Sequence, residues 1–207
     1  MRLPLLPLFC LVAAGPLALH ADPIPYGNAG NIAGATATYA TSNSIEAYFY
    51  SESAGDTDIV SVWDINTQSF LSPGGVLNNQ TTPIGTPVIF TGVNSGDQIV
   101  FVLTNEQIEG SFLASDADLS SDGINHAYIT DFSGSIPGDG TITGLYVGME
   151  DLPFTPKGDT TDLDYNDDTF VFQNVSTTAP APEPGTLVLL GTGLLGAAGA
   201  IRRRLIA

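Results

Sequence analysis

Thiols, imidazoles and positive charges are nearly missing from this sequence. There is one cysteine, Cys10, and there are two histidines, His20 and His126, in 207 residues. One cysteine closes no intrachain disulfide and builds no Cys-based metal or redox site. A zinc hydrolase needs several His or Cys ligands, which the chain does not carry. Five Lys and Arg face 22 Asp and Glu. Arg2, Arg202, Arg203 and Arg204 stand at the two ends, so Lys157 is the one basic residue between 22 and 179. Such a surface repels nucleic acid, whose phosphates need Lys and Arg. It favours divalent cations, which bridge carboxylates. Helical periodicity is also absent before the carboxyl-terminal segment.

Catalytic patterns are equally scarce. No serine sits in a G-x-S-x-G context. His126 lies at strand spacing in "INHAYIT", where a lone histidine is more often structural than catalytic. Acidic residues are so many that no glycosidase pair stands out from the rest. No catalytic residue is assigned, and the chain is read as a non-enzyme.

The ends carry an address. Arg2 precedes an apolar run from 3 to 19 broken by Pro4, Pro7 and Pro16, and Ala21 stands before Asp22-Pro23. That is the layout of a secretory signal peptide at 1–21. Its removal takes Cys10 and His20 away. At the other end residues 187–201 carry no charge. As a helix they cover roughly 22 Å at 1.5 Å per residue, against a hydrocarbon core of about 30 Å. Arg202 can snorkel to extend the span. Gly191, Gly193, Gly196 and Gly199 make a poor soluble helix. Arg202, Arg203 and Arg204 belong on the cytoplasmic side. The expectation is a short transmembrane helix.

Pro182, Glu183 and Pro184 precede that segment. The triplet, the short span and the arginine cluster together resemble the PEP-CTERM sorting signal of Gram-negative bacteria. The resemblance implies a chain held in the inner membrane by its tail. An exosortase then processes it and passes it to the cell surface or extracellular matrix, often in connection with exopolysaccharide and biofilm.

The middle reads as β. "TATYAT" (36–41), "SIEAYFY" (44–50), "TDIVSVWD" (57–64), "TPVIFTG" (86–92) and "DQIVFVL" (97–103) are rich in β-branched and aromatic residues. "HAYITDF" (126–132), "TITGLYVGME" (141–150) and "DTFVFQNV" (168–175) follow. Turn-forming "SPGG", "NSGD", "SSDG" and "IPGDG" separate them. The pattern predicts an all-β ectodomain, an antiparallel β-sandwich or jelly roll. A short helical turn is expected within 105–115. The chain then divides into a signal peptide (1–21), the ectodomain (22–175), a Pro/Thr linker with the sorting box (176–185) and an anchor with an Arg-rich tail (186–207).

The most informative internal stretch is "GMEDLPFTPKGDTTDLDYNDDTFVF" (148–172). Asp162, Asp164 and Asn166 alternate, followed by Asp167. Alternating oxygen ligands suit a hard cation such as Ca²⁺. An EF-hand is excluded: Asp167 stands where its glycine belongs, and Gln173 replaces its closing Glu. A calcium site of another geometry would use Asp162, Asp164, Asn166 and Asp167, with Glu150 or Asp151 helping. The alternative is an ion-free acidic loop. Asp116, Asp118 and Asp122 form a second acidic run, either a further ion site or a solvated turn.

The blocks His126-Ala127-Tyr128, Glu150-Asp151-Leu152 and Asp162-Leu163-Asp164-Tyr165-Asn166-Asp167 resemble a bacterial extracellular β domain with the same three blocks in order. That resemblance implies a secreted, often surface-linked module with no assigned catalysis. Asp168 and Thr169 depart from its apolar pattern.

The functional expectation is an exported, exosortase-sorted surface or matrix protein with a structural or interaction role, calcium-stabilised and linked to exopolysaccharide. Its partners would be exosortase, extracellular polysaccharide and, before processing, the inner membrane; nucleic acid is excluded. The alternative is a carbohydrate-binding module using Tyr48 and Tyr50, which share a strand face, or Trp63; core packing competes for the same rings.

Overall fold

The computed structural model describes residues 23–73, 76–154 and 161–179, together with 192, 194 and 195. The expected signal peptide, Lys157, the sorting triplet and the terminal arginines lie outside the described residues. Thr192, Leu194 and Leu195, within the expected anchor, are helical. Among the described residues no helix is long and apolar enough to cross a membrane.

The described strands are β1 (Thr38–Ala40), β2 (Ser44–Glu52), β3 (Asp58–Asp64), β4 (Ser69–Phe70), β5 (Ser72–Pro73), β6 (Leu77–Asn78), β7 (Pro87–Thr91), β8 (Gln98–Asn105), β9 (Leu113–Ala114), β10 (Ala127–Ile136), β11 (Gly140–Met149), β12 (Asp168–Gln173) and β13 (Val175–Ser176). They form two sheets. The first runs β13-β1-β8-β3-β4, with β6 also on β3 and β9 on β8. The second runs β10-β11-β12-β2-β7-β5. All their pairings are antiparallel. The all-β expectation is met, and two antiparallel sheets around one core are consistent with a β-sandwich. The helical turn expected within 105–115 is instead a hydrogen-bonded turn leading into β9.

Alternation sets the faces. β3 buries every second residue, starting with Asp58 and continuing through Val60 and Val62 to Asp64. Side chains of a strand alternate between faces, so the two aspartates share the face of the two valines. Phe101 of β8 meets Phe172 of β12 across the sheets at 4.2 Å between ring centroids. Ile45, Phe49, Val62, Leu103 and Phe170 join them in the main core. β2 and β12 lie inside the second sheet and are apolar on both faces. The outer face carries a second cluster of Tyr48, Tyr50, Phe132, Ile136, Ile142, Tyr146 and Val171. A strand covered on both sides reads as a continuous apolar run, as in "TFVF".

β11 ends at Met149 opposite Asp168, the first residue of β12. The described residues of the acidic segment, 150–154 and 161–167, lie between these neighbouring strands and cap one end of the sandwich. The pairing of β12 with β2 shifts register between Thr169 and Phe170. This irregularity falls where the sequence departs from the apolar pattern of the resembled domain.

Candidate metal centre

Residues 161–167 pack down rather than loop outward. Leu163 and Tyr165 take left-handed backbone conformations, φ 56° and 57°. Both side chains are buried, in a small cluster with Ala33. The Tyr165 hydroxyl donates to the Asn125 carbonyl at 3.0 Å and accepts from the Ala33 N–H at 2.8 Å. With residues 163 and 165 turned into the protein, Asp162 is exposed and Asp164 half-buried.

Glu150 is the inner wall of this loop. Its carboxylate accepts from the Leu163 N–H at 3.2 Å, from the Tyr165 N–H and from the Thr161 hydroxyl. Carboxylate oxygens of Glu150, Asp162 and Asp164 all lie within 4.8 Å of one another, the one such group of three among the described residues. Burial pushes Glu150 up to about 6, against the pull of its hydrogen-bond donors and with Asp167 and Asp162 adding repulsion. Asp164 is also raised, by burial and then by Asp162. Each buried anion is costly unless a proton or a cation offsets it. The described residues contain no lysine or arginine to do so.

The other expected ligands go elsewhere. Asn166 turns away: its side-chain oxygen accepts from the Ser53 hydroxyl at 2.7 Å, while its Nδ2 donates to Asp164 Oδ2 at 2.5 Å. Asp167 accepts from the Asp151 N–H at 3.2 Å. Its carboxyl is also within side-chain hydrogen-bonding reach of Asp151's. Asp151 and Asp167 therefore face each other behind the loop. Burial pushes Asp151 up to about 6, with repulsion from Asp58 adding to it and the hydrogen bond with Asp167 opposing; burial and then repulsion from Asp151 push Asp167 up to about 7.

Behind them lies a pair that sequence reasoning missed. Asp58 and Asp168 are 1% and 0% exposed. Burial raises both carboxyls, Asp168 the more strongly, and each lies within side-chain hydrogen-bonding reach of the other. The signal was present: in "DIVSVWD" Asp58 shares the parity of two core valines, and Asp168 leads directly into "TFVF".

The remaining candidates are structural in geometry. His126 Nε2 lies 2.8 Å from Asp122 Oδ2, and the imidazole is fully buried. Burial lowers the His126 pKa despite the pull of Asp122. Burial alone would raise Asp122, yet its bonds to His126 and to the Phe154 N–H hold it below the usual carboxylate range. A neutral imidazole thus donates from Nε2 to an ionised Asp122. Asp122 also accepts from the Ile124 N–H, and Asp116 from the Asp118 N–H, as in ordinary Asx turns. Tyr48 and Tyr50 share a face, as expected, but are only 4% and 9% exposed. Trp63 stacks edge-on against Phe70 at 5.0 Å, and Phe70 is 48% exposed.

The class defined so far is an acidic two-sheet β protein with a carboxylate-lined end. Residues 180–204 match the family model described as the PEP-CTERM protein-sorting motif. That motif supports an exported chain, sorted to the cell surface and processed by an exosortase. No match is found among curated proteins, and none among solved structures.

Proposed function

We propose that this chain serves the cell surface or extracellular matrix in a structural or interaction role, with its β domain completed by calcium at Glu150, Asp162 and Asp164. The observation that carries the calcium site is their convergence at one end of the fold, with no basic side chain among the described residues. Ca²⁺ accepts six to eight oxygens in irregular geometry, so loop water and carbonyls can complete three carboxylates. Extracellular modules of this kind bind at about 10⁻⁴ to 10⁻³ M, which makes millimolar calcium the fair test. At a hundredfold excess over Kd the folded state gains about 2.7 kcal/mol. Thermal unfolding of the purified full-length chain is therefore expected to shift upward with calcium. High sodium measures simple screening of the negative charge. Asp164→Ala should lose the calcium-specific increment and keep the screening component. Equal gains in wild type and Asp164→Ala, matched by magnesium, would reduce the loop to acidic surface.

The route to the surface has its own test. Replacing Pro182, Glu183 and Pro184 by alanine in the native host should leave an unprocessed, membrane-held form on an immunoblot of cell fractions. Unchanged processing and release would remove the assigned role of the triplet.

No catalytic role is proposed, because the one histidine outside the expected signal peptide is buried and committed to Asp122. The link to exopolysaccharide and biofilm is supported by the sorting motif alone. Carbohydrate binding has one structural support, the exposed Phe70 ring stacked on Trp63 and 5.9 Å from Phe112.

A further inference from the structure

Asp58 is the first residue of β3 in one sheet, and Asp168 is the first residue of β12 in the other. The two carboxyls meet where the sheets face each other at the closed end. Among the described residues Asn79 bridges them: its Nδ2 donates to Asp58 Oδ2 at 3.0 Å and reaches Asp168 Oδ2 at 3.5 Å. The same Nδ2 also donates to the Asp56 carbonyl at 3.0 Å. Asp58 Oδ1 and Asp168 Oδ1 are buried and have no hydrogen-bond partner. Their parent side chains are more than nine-tenths buried. Asp167 adds repulsion to Asp58, and Asp151 adds repulsion to Asp168. Asp56 sits at the rim, held by the Asn105 amide at 2.9 Å.

A buried carboxylate oxygen with nothing to accept from is expensive. Two such oxygens on facing strands of different sheets need a positive centre between them. A single shared proton bonds one oxygen to another and removes one charge. A divalent cation removes two and can be held by both unpartnered oxygens at once. We propose that Asp58 and Asp168 form a second divalent-cation site, of the oxygen-ligand class suited to Ca²⁺, which ties the two sheets together. This site is separate from Glu150, Asp162 and Asp164, which share no residue with it, and it stands whether or not the loop site does.

Ion counting separates the two. The full-length chain, dialysed to equilibrium against millimolar calcium, should hold up to two ions per chain above the dialysate by elemental analysis. Asp168→Asn should hold one, and so should Asp58→Asn, while Asp164→Ala should lose only the loop ion. An Asp168→Asn protein that keeps every ion of wild type overturns the inter-sheet site. Loss of an ion in Asp168→Asn but none in Asp164→Ala upholds it and removes the loop site instead. Unfolding in EDTA gives the second reading. Without the ion the pair carries one proton between its carboxyls, and in either Asn variant the amide donates in that proton's place, so both variants should melt near wild type in EDTA. Calcium should then raise wild type more than either Asn variant, and an equal rise in all three would overturn the proposal.

Discussion

In EDTA, acidification from pH 8 to pH 5.5 should raise the melting temperature of this protein, the reverse of ordinary acid destabilisation. Burial and neighbouring charge push Asp168 up to about 9, Asp167 to about 7, and Glu150, Asp58 and Asp151 to about 6. These carboxyls hold protons in the folded chain at a pH where the unfolded chain has released them. Folding then takes up protons, so this stability is lost as pH rises through 6 to 9. It is fully present only once the unfolded carboxylates also titrate, near pH 4. Each proton taken up is worth about 1.4 kcal/mol per pH unit. One proton over this interval corresponds to roughly 7–14 °C in a domain of this size. His126 opposes the trend below its unfolded value near 6.5, because burial resists its charging. One imidazole does not outweigh five carboxyls. Saturating calcium should reverse the slope, since protons then compete with the ion for the same oxygens. A midpoint in EDTA that falls steadily from pH 8 would contradict the buried-carboxylate picture.

Gly148→Ala should destabilise the protein and abolish calcium binding at the loop together. A Cβ on Gly148 would stand 2.2 Å from the Tyr165 carbonyl oxygen and 3.1 Å from the Tyr146 ring. The first contact is with backbone and cannot be relieved by a rotamer change. Tyr165 is pinned at its other end by Asn125 and Ala33, and its N–H is fixed to Glu150. The loop must lift, taking Asp164 away from Glu150. Overpacking of this kind costs about 3 kcal/mol at the upper end of its usual range. Gly144→Ala makes the control. Its Cβ would stand 2.2 Å from the Phe172 carbonyl oxygen, a clash of the same size away from the loop. It should lose comparable stability yet keep its calcium, measured by titration of the surviving folded protein. Calcium retained in Gly148→Ala would show that Gly148 is needed for packing alone.

The strands were legible because their residues are β-branched or aromatic and their breaks are Gly, Pro, Asn and Asp. "DIVSVWD" and "DQIVFVL" became β3 and β8 within a residue or two at each end. Legibility failed where chemistry depends on which way a loop turns. Alternation in "DLDYND" suggested one six-residue site, and the loop does present Asp162 and Asp164 together. The left-handed residues at 163 and 165 carry the chain around, however, so that Asp167 emerges on the other side with Asp151. Adjacent Glu150 and Asp151 part in the same way. Sequence parity could have shown Asp58 facing the core. It could not show that Asp168 faces Asp58, because that contact crosses 110 positions of chain and two sheets.

The last described strand and the carboxylate end stand apart. β12 starts at Asp168 and runs six residues to Gln173, and β13 then pairs with β1 beside Gln98 and Ile99. At about 3.3 Å per residue that strand puts roughly 20 Å between the acidic end and the start of β13. On β3 the same span separates Asp58 from Asp64, whose partner is Ile99. The last described strand therefore begins a full strand's length from the carboxylates, and the segment that leads into the sorting motif makes its turn onto β1 where no acidic side chain of the loop can reach it.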